Sequence, residues 1–175
     1  DLLLRADFGV GKTAFVAELS ERDRARGEDQ RHVIAVHYCQ HDTRETLRAA
    51  TFVRSLAAQM AQALPAYQAA VEASALAREQ LDRAADDPGS AFEAGLVNPL
   101  AGLAAPTSPR VVIVDALDES LEADESERRR GGIVQLLADK AGRLPAWIRL
   151  LVTARNNPAV VERLHGAGGF VLGKT

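Results

Sequence analysis

Residues 5–15, RADFGVGKTAF, place glycines, a lysine and a threonine between an apolar segment and a segment rich in helix-forming residues. Residues 2–4 predict a short buried strand, and residues 14–19 favour a helix. The turn therefore joins a strand to the start of a helix. A helix start offers unpaired backbone N–H groups and the positive end of the helix dipole, and both suit phosphate oxygens.

Residues 6–13, ADFGVGKT, have the spacing of a phosphate-binding loop, with Ala6 in place of the first glycine. Gly11 frees the turn, Lys12 reaches the β- and γ-phosphates, and the Thr13 hydroxyl is placed for Mg2+. Residue 6 ends a strand, where an ordinary negative φ serves, so we expect the loop to form. The alternative is a helix start that carries Gly-Lys-Thr by coincidence. The residues expected to contact nucleotide are Ala6, Phe8, Gly9, Val10, Gly11, Lys12, Thr13 and Ala14.

A second candidate site follows the segment PRVVIVDALDES, residues 109–120. Its four consecutive β-branched residues predict a strand buried on both faces of a parallel sheet. Asp115 is the expected second Mg2+ contact, since a hard cation beside phosphates prefers carboxylate and water oxygens. Of Asp118 and Glu119, we expect Glu119 to orient or deprotonate the water that attacks the γ-phosphate. The alternative for both acids is a solvated loop.

Arg155 follows a further apolar segment, residues 147–152. Ligands of parallel sheets bind outside the carboxyl ends of the strands, so residues just past Val114 and Val152 should lie near the phosphate-binding loop. A guanidinium pairs with phosphate oxygens in a forked geometry, so we expect Arg155 to touch the γ-phosphate or respond to its loss. The alternative is a surface ion pair.

The segment HYCQH, residues 37–41, places His37, Cys39 and His41 on one face of an extended strand, a pattern that suggests a metal site. No fourth ligand is evident. A strand end with a buried cysteine explains the same residues, and we favour that interpretation.

The remaining elements alternate between strands and helices, which predicts a parallel α/β sheet. The stripe Phe52, Leu56, Met60, Leu64 predicts a helix over 51–64, and Pro65 ends it before an alanine-rich helix. Ser90 is a candidate cap for a helix that extends to about Leu103, with Pro99 as a candidate position for a kink or an earlier end. The other expected elements are helices over 13–26, 133–141 and 160–166, strands over 32–39 and 169–175, and a charge-rich loop over 123–132.

Composition narrows the class of protein. The chain has 175 residues, 47% of them hydrophobic, which predicts one domain over 1–175. The net charge of −3 predicts no broad contact with nucleic acid, although local basic clusters such as Arg128–Arg130 stay candidate contacts. No segment predicts membrane insertion or secretion, and the single cysteine permits no internal disulfide, so we expect a cytoplasmic protein. Because the chain begins at Asp1 without methionine, we expect a piece of a longer multidomain protein.

An ordered set of segments resembles the NACHT group of STAND domains, within the P-loop NTPases. ADFGVGKTAF looks like its Walker A loop, VVIVDALDES like its Walker B segment, and LLVTARNNP like its sensor 1 strand, although serine is commoner there than Ala154. Residues 37–60 look like the family's second strand and following helix. The resemblance spans nearly the whole chain.

This resemblance implies a three-layer α/β sandwich with a central parallel sheet of about five strands and helices on both faces. It also implies a molecular switch that binds ATP, ADP or sometimes GTP with Mg2+, hydrolyses slowly, and controls the homo-oligomerisation of a signalling or defence protein. The expected partners in the same longer chain are an effector domain and sensor repeats.

Two other classes of function stay open. One is a scaffold that has lost nucleotide binding and works through protein contacts, for which Ala6 and the bulky Phe8 are the support. The other is a small-molecule or nucleotide kinase, although no segment suggests an acceptor-binding lid. A dedicated GTPase is disfavoured because the guanine-reading Asn-Lys-x-Asp motif is absent.

Overall fold

A parallel β-sheet forms the centre of the structure, which is a computed structural model describing residues 2–5, 11–27, 31–123, 132–155, 157–166 and 171–174. Its strands are β1 (Leu2–Arg5), β2 (Val33–Tyr38), β3 (Arg110–Asp115), β4 (Ile148–Ala154) and β5 (Val171–Lys174). They pair in parallel in the order β2-β3-β4-β1-β5. The predicted parallel α/β class is therefore confirmed.

Helices connect these strands. They are α1 (Lys12–Arg24), α2 (Ala49–Ala63), α3 (Pro65–Ala73), α4 (Ala75–Asp82), α5 (Pro88–Phe92), α6 (Asn98–Ala101), α7 (Gly132–Lys140) and α8 (Pro158–Gly166). A π turn, Glu93–Val97, joins α5 to α6, and 3-10 turns cover Arg44–Leu47, Leu117–Glu122 and Ala141–Arg143. Helices predicted from periodicity agree with these bounds to within a few residues.

Side chains on alternate positions of β3 enter two separate apolar clusters. Ile113 packs with Val16 of α1 and Leu151 of β4. Val112 and Val114 join the larger cluster, which includes buried side chains of α2 and α7. Successive side chains of a strand point to opposite faces, so helices cover both faces of the sheet at β3. This explains why residues 111–114 are all apolar in the sequence.

The predicted stripe on α2 forms part of the core. Phe52, Leu56 and Met60 are buried, and Leu64 is half-buried at the C-cap. Burying each large apolar side chain contributes about 1.5–3 kcal/mol. Pro65 occupies the first turn of α3, where its missing N–H is tolerated.

The alanine-rich segment after Pro65 forms two helices rather than the predicted one. Ser74 lies between them in an extended conformation, and its hydroxyl accepts a hydrogen bond from the N–H of Ala77 at 3.1 Å. This side-chain cap satisfies a donor at the start of α4 and separates it from α3.

Ser90 is not the cap of α5, contrary to the sequence prediction. The cap is Asp87, whose carboxylate accepts hydrogen bonds from the Ser90 N–H at 2.9 Å and the Ser90 hydroxyl at 2.6 Å. These two hydrogen bonds from Ser90 are the main cause of the lowered pKa of Asp87. Pro88 fills the first helical position, so the helix starts earlier than expected.

The predicted kink or end at Pro99 takes the form of a π turn, after which the helical run continues. Pro99 has no N–H with which to reach the carbonyl of Gly95, and the hydroxyl of buried Tyr67 donates to that oxygen at 2.5 Å. Burial raises the pKa of Tyr67. A Cβ on Gly95 would lie 2.5 Å from a methyl carbon of Leu81, so a larger residue there would displace the Leu81 side chain of α4.

Some predicted elements fall outside the described residues. Most of the charge-rich loop, residues 124–131 with Arg128–Arg130, is among them, as are residues 169, 170 and 175 of the last predicted strand. The helices that are described include none with the length and hydropathy needed to cross a bilayer.

Replacing Tyr67 by phenylalanine should lower the free energy of unfolding by about 1–3 kcal/mol, because a buried carbonyl loses its hydrogen-bond donor. Urea unfolding measures the change. Tyr38→Phe is the matched control, since Tyr38 is half-buried and should change stability little. Equal stabilities of the Tyr67→Phe variant and the parent chain would contradict the assigned bond.

Candidate nucleotide site

The first turn of α1 follows Gly11, which has a left-handed φ of 79°. A Cβ at Gly11 would meet nothing within 4 Å, so the backbone angle, rather than space, favours glycine. The Gly11 carbonyl accepts the N–H of Phe15 at 2.8 Å, and no described side chain caps the helix. The helix start therefore has the geometry predicted for the end of a phosphate-binding loop.

The remainder of this loop stays a prediction. Ala6, Phe8, Gly9 and Val10 lie outside the described residues, as does the side chain of Lys12. Thr13 and Ala14, the next two residues of α1, are exposed.

Strand register brings the distant candidate segments to one edge of the sheet. Arg5 of β1 pairs with Ala154 of β4, and Val114 of β3 pairs with Val152 of β4. Parallel strands end on the same side, so the segments after β1, β3 and β4 leave the sheet together.

A cleft of about 210 Å³ lies at this edge. Its walls include Thr13, Asp115 and Glu119, together with Ala116 and residues 38–42 that follow β2. Three candidate residues from two distant segments therefore line one cleft. Asp118 and Arg155 are not among the residues that line it.

Asp115 ends β3 with a side chain that is 2% exposed. Its Oδ1 accepts a hydrogen bond from the hydroxyl of Thr153, which is fully buried on β4, and the same hydroxyl accepts the N–H of Ala116 at 2.9 Å. Ala116 has a left-handed φ of 55°, which is uncommon outside glycine and tolerable for a side chain this small. Thr153 therefore fixes both the carboxylate and the turn after it.

Sequence reasoning missed Thr153, although a signal was present. It is a polar residue in an apolar strand, and the neighbouring pair Val114 and Val152 places it level with Asp115.

Asp118 is 7% exposed and holds the end of β4. Its Oδ1 accepts the backbone N–H of Arg155 at 2.8 Å, and its Oδ2 lies 2.7 Å from the guanidinium Nε of Arg155. One carboxylate thereby fixes the main chain and the side chain of the same residue. Asp118 thus positions Arg155. Its catalytic role stays a prediction.

Glu119 connects three segments. Its Oε2 accepts the backbone N–H of His41 at 2.8 Å and lies 3.6 Å from the His41 ring, and its Oε1 lies 3.3 Å from an Arg155 nitrogen. With a side chain that is 19% exposed, Glu119 is set in position while it still faces the cleft. Sequence reasoning considered His41 as a metal ligand and missed this contact.

Carboxylates converge near Cys39, whose backbone N–H donates to the Asp115 carbonyl at 3.0 Å. Burial raises the pKa of the Cys39 thiol to about 12, with further contributions from the charges of Glu119, Asp115 and Asp118. Such a thiol is not ionised near neutral pH, which disfavours it as a nucleophile or metal ligand. The sequence prediction of a buried cysteine is confirmed.

His37 is buried and its Nε2 lies 2.8 Å from the Thr46 carbonyl. Its ring packs edge-on against Phe52 at 5.1 Å, and burial lowers its pKa. His37 and His41 therefore contact different groups. Within the described parts of the chain, no group of three or more His, Cys, Asp and Glu residues is arranged to hold a metal.

Replacing Thr153 by valine should lower the free energy of unfolding by about 2 kcal/mol, because the buried Asp115 carboxylate and the Ala116 N–H each lose a partner. Thr153→Ser keeps the hydroxyl and should recover most of the loss. Thermal unfolding of the two variants tests this. If serine and valine were equally damaging, the role of the hydroxyl would be refuted.

Residues 2–155 match one family model, described as nephrocystin 3, N-terminal. The matched range begins in β1 and ends at Arg155, so it contains every candidate site residue named above. It also covers most of the 175 residues. The chain therefore belongs to the nephrocystin 3 N-terminal family.

Proposed function

We propose that this chain is a P-loop NTPase domain of the NACHT type, which binds ATP, or GTP, and hydrolyses it slowly. The observation that carries the proposal is the shared cleft of Thr13, Asp115 and Glu119 at the carboxyl edge of the sheet. A hydroxyl at a helix start, a carboxylate at a strand end and a further acid are the groups that this chemistry uses. The layered arrangement of helices on both faces of the sheet at β3 is compatible with this fold.

Magnesium fits the residues of this cleft. Thr13 provides a hydroxyl and Asp115 a carboxylate, of which Oδ1 is held by Thr153. Mg2+ is commonly bound by one or two carboxylates together with substrate phosphates and water, so a cage of three protein ligands is not needed. When bound, the ion neutralises charge that develops on the transferred phosphoryl group.

Glu119 is the proposed acceptor of the proton from the attacking water. Its carboxylate is fixed by the His41 N–H and by Arg155, and it borders the cleft. A base must be held within hydrogen-bond reach of the water that it activates. Asp118 is the weaker candidate because it is 7% exposed and, unlike Glu119, is not among the residues that line the cleft.

Arg155 is the proposed sensor of the γ-phosphate. Its side chain is 40% exposed, and its guanidinium already contacts both Asp118 and Glu119. A phosphate in the cleft would compete with these carboxylates for the same cation, so the contacts of Glu119 would depend on the bound nucleotide. The end of β4 would then respond to hydrolysis.

The wider role follows from the NACHT resemblance. We propose a cytoplasmic switch in which the nucleotide controls homo-oligomerisation of a signalling or defence protein. Its effector domain and sensor repeats would lie elsewhere in the same longer chain.

Calorimetric titration with ATP, ADP and GTP in Mg2+ tests nucleotide binding. Lys12→Ala should remove the binding heat, because this lysine is proposed to contact the β- and γ-phosphates. Lys174→Ala is the matched control, since Lys174 lies in a second Gly-Lys-Thr that lacks the upstream loop spacing. Equal affinity of the Lys12→Ala variant would refute the phosphate-loop assignment. Absence of heat with the parent chain would favour the protein-contact scaffold.

Replacing Glu119 by glutamine should keep nucleotide binding and reduce turnover by about 100-fold or more, since a general base typically contributes 10²–10⁴. Phosphate release measures turnover, and the calorimetric titration measures binding. Asp118→Asn is the paired variant, for which a smaller loss of turnover is expected. If Asp118→Asn were the more damaging change, the roles of the two acids would be exchanged.

A further inference from the structure

The segment after β2 forms a tight turn on one wall of the cleft. The Thr43 N–H donates to the Gln40 carbonyl at 3.0 Å, which closes a turn over residues 40–43. That bond joins the first and last residues of the turn, so the N–H of the second residue, His41, is left for another acceptor. It donates to Oε2 of Glu119 at 2.8 Å. The turn therefore directs a main-chain donor at the carboxylate that is the proposed proton acceptor.

The side chain of Thr46 holds both ends of this turn. Its hydroxyl oxygen accepts the N–H of Gln40, the first residue of the turn, at 2.9 Å. The same hydroxyl donates to the carbonyl of Thr43, the last residue, at 2.7 Å. A hydroxyl has one proton and two lone pairs, so both bonds can form at the same time. The shape of the turn thus depends on a residue that is not among those that line the cleft.

Thr46 is itself attached to the interior of the protein. Its carbonyl lies 2.8 Å from Nε2 of His37, whose buried ring packs against Phe52 of α2. A carbonyl can only accept a hydrogen bond, so this nitrogen carries the ring proton. The next residue, Leu47, is 2% exposed and belongs to the larger apolar cluster. Thr46 therefore has a fixed position from which to hold the turn.

The end of β2, from which the turn begins, is attached to α2 by a second contact. The Gln59 amide accepts the Val36 N–H and donates to the Val36 carbonyl, both at 2.9 Å. Val36 directly precedes His37, so two successive residues of β2 contact side chains of α2. The strand and Thr46 together give the turn a rigid base.

The contact between the turn and Glu119 differs from the other contact of that carboxylate. Oε1 of Glu119 lies 3.3 Å from a nitrogen of Arg155, the side chain proposed to respond to the γ-phosphate. If Arg155 pairs with phosphate, the His41 N–H is the contact that remains on Glu119. A main-chain donor within a closed turn cannot rotate away as a long side chain can. The orientation of Glu119 during hydrolysis would then depend on the turn.

We propose that Thr46 is a positioning residue for hydrolysis at this site. Its hydroxyl fixes the turn over residues 40–43, the turn fixes the His41 N–H, and that N–H keeps Glu119 directed at the attacking water. This inference rests on the proposed function. Because Thr46 acts through Glu119, its loss affects the rate of hydrolysis and leaves nucleotide affinity unchanged.

Phosphate release and calorimetric titration with Mg-ATP, measured on the full chain, test the proposal. Thr46→Val removes the hydroxyl and should lower kcat by about tenfold to 100-fold, because a small misplacement of a catalytic group is costly. The Kd for Mg-ATP should not change. Thr46→Ser keeps the hydroxyl and should recover most of the rate. Thr51→Val is the matched control, since it makes the same change at a half-buried threonine of α2 outside the turn, and it should keep the parental kcat.

A double-mutant cycle measures whether Thr46 acts through Glu119. Adding Thr46→Val to the Glu119→Gln variant should cause no further loss of single-turnover rate, because the group that Thr46 positions no longer acts as a base. A full additional loss in that background would overturn the proposal. Parental kcat in the Thr46→Val single variant would overturn it as well.

Hydrogen exchange measured by NMR tests the turn without nucleotide. Thr46→Val should speed the exchange of the His41 amide by about tenfold, while the amide of Val114 in β3 keeps its protection, because the change is local. Unchanged exchange at His41 would refute the role of Thr46 in the turn. If the parent chain released no phosphate, the proposed function would fail and with it the catalytic role of Thr46, whereas faster exchange at His41 would still show that Thr46 holds the turn.

Discussion

The hydrogen bond from the Thr153 hydroxyl to the Asp115 carboxylate is the contact on which the arrangement of the cleft depends. The same hydroxyl accepts the Ala116 N–H, so one buried group on β4 sets both the last residue of β3 and the left-handed turn after it. That turn aims the chain so that Glu119 reaches the end of β2. A small displacement between β3 and β4 would therefore alter several candidate groups together.

Strand β3 was predictable because its four consecutive β-branched residues, 111–114, indicate burial on both faces. The shared edge was predictable because parallel strands end on the same side of the sheet. The phosphate-loop spacing likewise predicted a turn freed by Gly11 and a helix after it, and the structure gives Gly11 a left-handed φ at the start of α1. Helix caps were less predictable. Asp87 and Ser90 are both good capping residues, and the choice depends on Pro88, which fixes the first helical position three residues before the one that a Ser90 cap would give.

Side-chain partners across the site could not be obtained from sequence alone, because they depend on strand order. Thr153 meets Asp115 since β4 lies beside β3, and Arg155 meets Asp118 for the same reason. His41 shows the opposite case. Its spacing from His37 suggested a metal site, but burial of His37 against Phe52 and the contact of His41 with Glu119 give the two rings different roles.

The pairing of Gln59 with Val36 has a kinetic consequence. A sheet edge that is closed by another strand opens only when that strand unfolds, which takes microseconds or longer. An edge closed by an amide opens when that side chain changes rotamer, and no strand has to unfold. The Gln59 amide also donates to the Ser55 hydroxyl, so its release breaks three hydrogen bonds. The helix that carries Gln59 stays intact. At Val36 the edge of β2 is thereby shielded from aggregation without a covering strand.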